Sequence, residues 1–306
     1  MKISIIGAGN VGSLTALRIA QEGLGDIVLV DIVKGLAKGK AFDLEDARAI
    51  LKHGYNIEGT EDFNRIDKSD IIVVTAGLAR KPGMTREELV NKNALILKEV
   101  CLKIRNISPK AILIIVTNPL DLMTFFALKV TGFNFARVFG MGVTLDAARF
   151  ANLLAKELNI PVTDIEAVVL GSHGQGMLPL PAYTKIKGLN LDEFLEEKRI
   201  QVLVNRTIDR GAEIVSLLGT GSAYFAPSAA VTQIVRGVAK DEKRVIGVCA
   251  YLNGEYGIKD ACLGVPCRLG KNGIEQIVEL ELTDGEKQKL RDCAESLRKL
   301  TKQLPL

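Results

Sequence analysis

Histidine is almost missing from this chain, with two residues in 306. Cysteine is scarce and scattered, at Cys101, Cys249, Cys262, Cys267 and Cys293, an odd number. That pattern argues against a disulfide framework. Cys262 and Cys267 also lack the second Cys pair or clustered histidines that a metal site would need. We therefore expect buried free thiols, no metal and a cytoplasmic setting. No secretory signal is visible, since the chain begins at once with a strand-like run, Lys2-Ile3-Ser4-Ile5-Ile6. Long hydrophobic runs are lacking too. The longest apolar region, Ala111 to Leu128, is broken by Asn118, Pro119 and Asp121, so no membrane span is expected. Nor is there an excess of one charge: a net +4 gives no reason to expect nucleic acid as a partner, although it suits an anionic substrate and a phosphate-bearing cofactor. The remaining composition, 47% hydrophobic and 25% charged, is that of a globular protein long enough for two domains.

The first half alternates apolar, β-branched runs with helical patterns. Strands are predicted at Lys2 to Ile6, Asp26 to Val30, Ile71 to Thr75, Ala111 to Thr117 and Arg137 to Phe139. Their nearly unbroken apolar character marks strands buried on both faces of a parallel sheet. Helices are predicted at Val11 to Glu22 and Arg86 to Ile107, and this alternation implies an α/β, doubly wound Rossmann sheet. The second half reads as a mixed α/β substrate domain. It has helices at Thr144 to Leu158, Asp192 to Leu217 and Ser228 to Ala239, then a strand-rich block from Arg244 to Leu282. A capping box, Thr283-Asp284-Gly285-Glu286, opens a last helix with apolar positions at Leu290, Ala294 and Leu297. The division falls at residues 1–142 and 143–306, with no flexible linker, and a ligand is expected in the crevice between the halves.

The segment Gly7-Ala8-Gly9-Asn10-Val11-Gly12 is a G-x-G-x-x-G that follows a strand and opens a helix. Its glycines suit a tight turn, close approach of backbone to a pyrophosphate, and close helix–strand packing. The helix N-terminus offers N–H groups and a positive dipole end to phosphates. The second strand ends in Asp31, 19 residues after Gly12, where a carboxylate accepts from ribose hydroxyls and repels a 2′-phosphate. NAD is the expected cofactor, with Lys34 leaving some tolerance for NADP.

Two guanidinium groups, Arg80 and Arg86, flank the Pro82-Gly83 turn just after the strand ending at Thr75. Such rigid donor forks match carboxylates, and Gly77 and Gly83 suit a loop that swings as a lid over Leu78 to Val90. Of the two histidines, His53 lies in a polar stretch and reads as a surface residue. His173 follows the apolar strand Ala167 to Leu170 among glycines (Gly171-Ser172-His173-Gly174-Gln175-Gly176), which makes it the candidate for proton transfer. Asp146 and Arg149 stand three residues apart on one helix face in otherwise apolar surroundings.

Taken together with Val116-Thr117-Asn118-Pro119, Gly221-Ser222-Ala223-Tyr224 and Tyr251 to Gly257, these motifs run in order over nearly the whole chain. In that set the chain resembles the malate dehydrogenases of the lactate dehydrogenase-like branch of the lactate/malate dehydrogenase family. The resemblance implies reversible hydride transfer between (S)-malate and NAD, a place in the tricarboxylic acid cycle, and a homodimer or homotetramer. It implies His173 as acid/base, Asp146 as its orienting carboxylate, and Arg149 as the clamp for the C1 carboxylate. Arg86 would polarise the carbonyl, Asn118 would hydrogen-bond the substrate, and Asn93 with Val116 would meet the nicotinamide end of the cofactor. Lactate-specific relatives carry Gln where this chain has Arg80, so Arg80 implies a dicarboxylate. Pyruvate would leave that cation unpaired in a closed site, at a cost of about 3–5 kcal/mol.

One departure stands out. Most family members follow the catalytic His-Gly with Asp and then Thr or Ser, whereas Gln175 and Gly176 occur here. Loss of that carboxylate is expected to lower the His173 pKa or to alter the packing of its loop. Two alternatives stay open: a lactate or broader 2-hydroxyacid dehydrogenase, and a catalytically silent redox sensor, which predicts loss of a catalytic group. An NAD-dependent glycosidase of related fold is set aside, since it would need a longer chain and a metal-binding Cys-His pair, and His173 has no adjacent Cys.

Overall fold

A computed structural model describes residues 1–78 and 85–305, with the Arg86 side chain also outside the description. Six parallel strands form the first half: β1 (Lys2–Ile6), β2 (Asp26–Val30), β3 (Ile57–Thr60), β4 (Ile71–Val74), β5 (Ile112–Ile115) and β6 (Val138–Gly140). They lie side by side in the order β3-β2-β1-β4-β5-β6. This is the doubly wound arrangement that the apolar runs predicted, with the order reversing between β1 and β4. Helices α1 (Asn10–Gln21), α2 (Leu36–Asp46), α3 (Arg48–Leu51), α4 (Arg86–Ile107) and α5 (Leu120–Thr131) connect them. The apolar region from Ala111 thus divides into a strand and a helix, with Asn118 and Pro119 in the loop between. Because all six strands run the same way, the loops carrying Gly7, Asp31, Thr75 and Val116 open on one edge of the sheet.

The second half continues the same sheet. After α6 (Val143–Leu158) come the short strands β7 (Ile165–Glu166), β8 (Val169–Gly171), β9 (Met177–Pro179), β10 (Lys185–Ile186) and β11 (Leu189–Asn190). Helices α7 (Glu197–Leu218) and α8 (Phe225–Ala239), the long strands β12 (Arg244–Asn253) and β13 (Lys259–Gly270), β14 (Gly273–Ile277) and α9 (Asp284–Thr301) complete the chain. Strand β12 pairs antiparallel with β6 through Cys249 and Gly140, and the sheet runs on through β13 to β8 and β9. One apolar core accordingly spans both halves, from Ile3 and Ile5 to Val248 and Leu263. Helix α8 packs on α1, where Arg18 Nε donates to Ser228 Oγ at 3.2 Å.

Several boundaries moved for identifiable reasons. The helix expected from Asp192 begins at Glu197, because Asn190 and Glu193 close a separate capped turn first. The helix expected from Ser228 begins at Phe225, with Pro227 tolerated in the first turn, where a missing N–H costs nothing. The capping box at Thr283 forms as expected: Glu286 N donates to Thr283 Oγ1 at 3.3 Å, and Thr283 N to Glu286 Oε2 at 2.8 Å. Thr85 and Glu88 make an equivalent box at the start of α4.

Gly264 in β13 brings the start of α6 down onto the sheet. A Cβ there would press into Val143 and stand 2.8 Å from the Gly171 carbonyl oxygen. Asp146 and Arg149 follow Val143 within two turns, so this close approach sets their height above the sheet. Gly264→Ala should therefore destabilise the chain by about 1–3 kcal/mol in urea denaturation. Adding Val143→Ala should recover part of the loss, and an unchanged midpoint in the single variant would refute the packing argument.

Candidate active site

The strand–glycine–helix turn has the shape its sequence implied. Gly7 takes φ +110°, and a Cβ on it would lie 2.6 Å from Thr75 Oγ1. At Gly12 a Cβ would run into the Gly7 carbonyl, so that glycine lets α1 start directly above β1. Gly9 is different, because a Cβ built there meets nothing within 4 Å. The space above Gly9 is open, and the first turn of α1 has neither a side-chain cap nor an acidic residue. Unspent N–H groups facing open space at the carboxyl edge of a parallel sheet fit a pyrophosphate. Asn10 and Val11, with Ala8, complete this loop.

Asp31 sits at the end of β2 beside the turn. Its Oδ2 accepts from Ala8 N at 2.7 Å and its Oδ1 from Val33 N at 2.9 Å. The carboxylate pins the glycine loop, a task the sequence did not reveal, and keeps lone pairs for ribose hydroxyls. Asn93 and Val116 reach the neighbouring loops but are both buried. Asn93 Oδ1 accepts from Leu78 N at 2.7 Å, while its Nδ2 donates to the carbonyls of Asn118 at 2.7 Å and Leu78 at 3.2 Å. Its amide is spent on stitching the loop after β4 to the loop after β5. Val116 can offer its backbone alone, and Asn118 presents an exposed side chain.

His173, at the tip of the β8–β9 turn, is brought to Asp146 on α6. Its Nδ1 lies 2.8 Å from Asp146 Oδ2, and Arg149 Nη1 donates to Asp146 Oδ1 at 3.2 Å. Asp146 is fully buried, so its charge is met by these two partners rather than by water. Burial alone would lower the His173 pKa, but the Asp146 carboxylate and then that of Asp121 outweigh it and hold the pKa above its ordinary value. Burial also lowers the Arg149 pKa, against the opposing pull of Asp146, and Arg149 Nε has no hydrogen-bond partner among the described residues. A buried guanidinium with an uncommitted N–H is a carboxylate receptor. With Nδ1 engaged, the His173 Nε2 is left for proton exchange. His173 also borders a cavity of about 240 Å³ walled by Glu87, Val90, Pro119 and Leu300.

Reasoning from sequence passed over Asp121 and Gly211. Asp121, in the first turn of α5, accepts from His173 N at 2.8 Å. Gly211 in α7 leaves room beside the Arg149 guanidinium. Gln175 is exposed and carries no charge, and the carboxylates that raise the His173 pKa are Asp146 and Asp121. Gly176 is required by packing, because a Cβ there would crowd Ser172 and stand 3.0 Å from Cys293 Sγ. His53, expected at the surface, is half-buried, with both ring nitrogens shielded and without partners among the described residues. All five cysteines are free, and all but Cys293 are buried. Arg80, with the rest of residues 79–84 of the proposed lid, lies outside the described residues, as does the Arg86 side chain. No helix among the described residues is long and apolar enough to cross a membrane.

Comparison with known proteins decides the family. Residues 1–140 match the NAD-binding domain of the lactate/malate dehydrogenases, and residues 143–304 match their α/β C-terminal domain. The chain belongs to the lactate/malate dehydrogenase family. It is an NAD-dependent oxidoreductase of that family. The malate dehydrogenase of Methanosarcina mazei is 50% identical over 299 residues, covering 98% of this chain and 97% of that one. The apo malate dehydrogenase of Picrophilus torridus superposes with a TM-score of 0.95 at 39% identity, covering 98% and 96% of the two chains. The lactate dehydrogenase of Cryptosporidium parvum, complexed with lactic acid and the dinucleotide, superposes equally well. Its TM-score is 0.95 at 34% identity, with 99% and 97% covered. Fold alone therefore does not separate the two substrates within this family.

Gly9 offers a clean test of the cofactor site. Gly9→Ala should leave thermal stability unchanged, since its Cβ meets nothing, yet weaken NADH binding at least about tenfold by filling the pyrophosphate space. NADH fluorescence titration beside a melting curve reads both. Wild-type affinity in this variant would mean that the cofactor does not approach the loop.

Proposed function

We propose that the chain catalyses reversible oxidation of (S)-malate to oxaloacetate with NAD. The observation that carries this reading is the buried chain His173–Asp146–Arg149, which sets a proton donor and a carboxylate receptor on the two oxygens of one carboxylate. When bound, NADH supplies hydride to the carbonyl carbon of oxaloacetate. His173 Nε2 gives its proton to the carbonyl oxygen as the hydroxyl forms, and takes it back in the reverse direction. Asp146 holds the imidazole in the tautomer with Nδ1 protonated and stabilises the imidazolium. Arg149 grips the C1 carboxylate, while Asn118 donates to the substrate from the loop after β5.

Arg80 would pair with the distal carboxylate and Arg86 would polarise the carbonyl. Both assignments rest on sequence resemblance. The curated relatives named malate dehydrogenase support the dicarboxylate over lactate. The five free thiols are consistent with a cytoplasmic enzyme. We also propose a homodimer or homotetramer. Helices α6 and α8 would supply the interface, with the exposed Phe225 of α8 beside Leu217 and Leu218 at the end of α7. Light scattering on the purified chain gives the state, and a strictly monomeric mass would end that proposal.

The deciding assay compares NADH oxidation with oxaloacetate and with pyruvate. Oxaloacetate should be favoured by about 10³-fold or more in kcat/KM, and Arg80→Gln should erase most of that preference while NADH binding is kept. Comparable rates in the wild type would make this a broader 2-hydroxyacid dehydrogenase. His173→Asn should lower turnover by about 10²- to 10⁴-fold with cofactor affinity intact. Retained turnover would remove His173 from the chemistry.

A further inference from the structure

We infer that Asp121 is a positioning residue for His173, fixing its backbone from one side while its negative charge favours the protonated ring. The inference rests on the role given to His173 above. Asp121 is the second residue of α5, and its Oδ2 accepts the His173 backbone N–H at 2.8 Å. Asp121 is only 4% exposed, and its Oδ1 has no hydrogen-bond partner among the described residues. Like His173, it lines the cavity bounded by Pro119 and Ser172. His173 is thus bracketed by two carboxylates from different halves of the chain, Asp146 on the ring and Asp121 on the main chain.

The surroundings leave Asp121 as a charge near neutral pH. Burial pushes its pKa up to about 6, against the opposing pull of His173. Its place at the N-terminus of α5 favours the anion. The other described groups facing this pair are Asp146 and Arg149 from α6, Glu87 from α4, Cys249 from β12 and Cys293 from α9. Burial raises the pKa of both thiols, so they stay neutral. Gln175 supplies no charge to this group. The sign follows directly. Imidazolium is the proton donor for reduction, so activity in that direction is present below the His173 pKa and lost as pH rises through it. Removing the Asp121 charge lowers that pKa and moves the loss to lower pH.

The test is Asp121→Asn, which keeps an acceptor for the His173 N–H and removes the charge. Imidazole NMR titration reads His173 without any substrate, and His53→Gln assigns the other of the two histidines. The His173 midpoint should fall in Asp121→Asn. Oxaloacetate reduction should drop roughly 3- to 10-fold at pH 8 while changing little at pH 6. If Asn does not fold, Asp121→Ser must show the same fall. An unchanged midpoint overturns the inference. Because the titration needs no turnover, failure of the wild type to reduce oxaloacetate would count against the proposed reaction alone.

Discussion

A single buried carboxylate organises this molecule. Asp146 has no access to water, and an ion of that size left unpaired inside a protein costs several kcal/mol. Its two oxygens are met by two nitrogen groups, His173 Nδ1 from the β8–β9 turn and the Arg149 guanidinium from its own helix. Each partner would be poorly placed without the other, since one oxygen would then remain buried and unmet. The pair is better regarded as one three-residue unit than as two contacts. Everything nearby keeps that unit in register: the close seating of α6 over Gly264, the Gly176 turn beneath Ser172, and the Asp121 carboxylate on the His173 backbone.

A second constraint comes from strand direction. Parallel strands send all their exits to one edge, so the glycine turn, Asp31, Asn93 and Asn118 gather there although they are far apart in sequence. Asn93 then ties two of those exits together from inside. Polar atoms that might have faced a ligand are occupied in shaping its walls, and the same is true of Asp31 on the glycine loop. The loops of the cofactor edge are tied to one another by these hydrogen bonds. That agrees with a family whose members act by holding two reactants in fixed relation.

Much of this was legible from the sequence, for physical reasons. Buried parallel strands need apolar residues at every position, so β1, β2, β4 and β5 stood out. The glycines and Asp31 announced their site because few other residues fit those places. By contrast, α2 buries only Ala37 and Ala41, and β3 a single residue, Ile57, so neither carries a strong period. Asp121 escaped because an acid in a helix's first turn looks like a response to the dipole. What it does depends on a turn 52 residues away. Asn93 was picked as a cofactor contact; that its amide ties two loops together is a matter of direction, which one sequence does not encode.

The antiparallel join of β6 to β12 makes the two halves inseparable modules. Cutting the chain near residue 142 would strip the partner from β6 and leave a raw hydrogen-bonding edge on each fragment. It would also tear a core that runs without interruption from Ile3 to Leu263. Each fragment would turn part of that apolar core toward water. Swapping halves between relatives would transfer a function only where the seam at Gly140 and Cys249 is carried along with it.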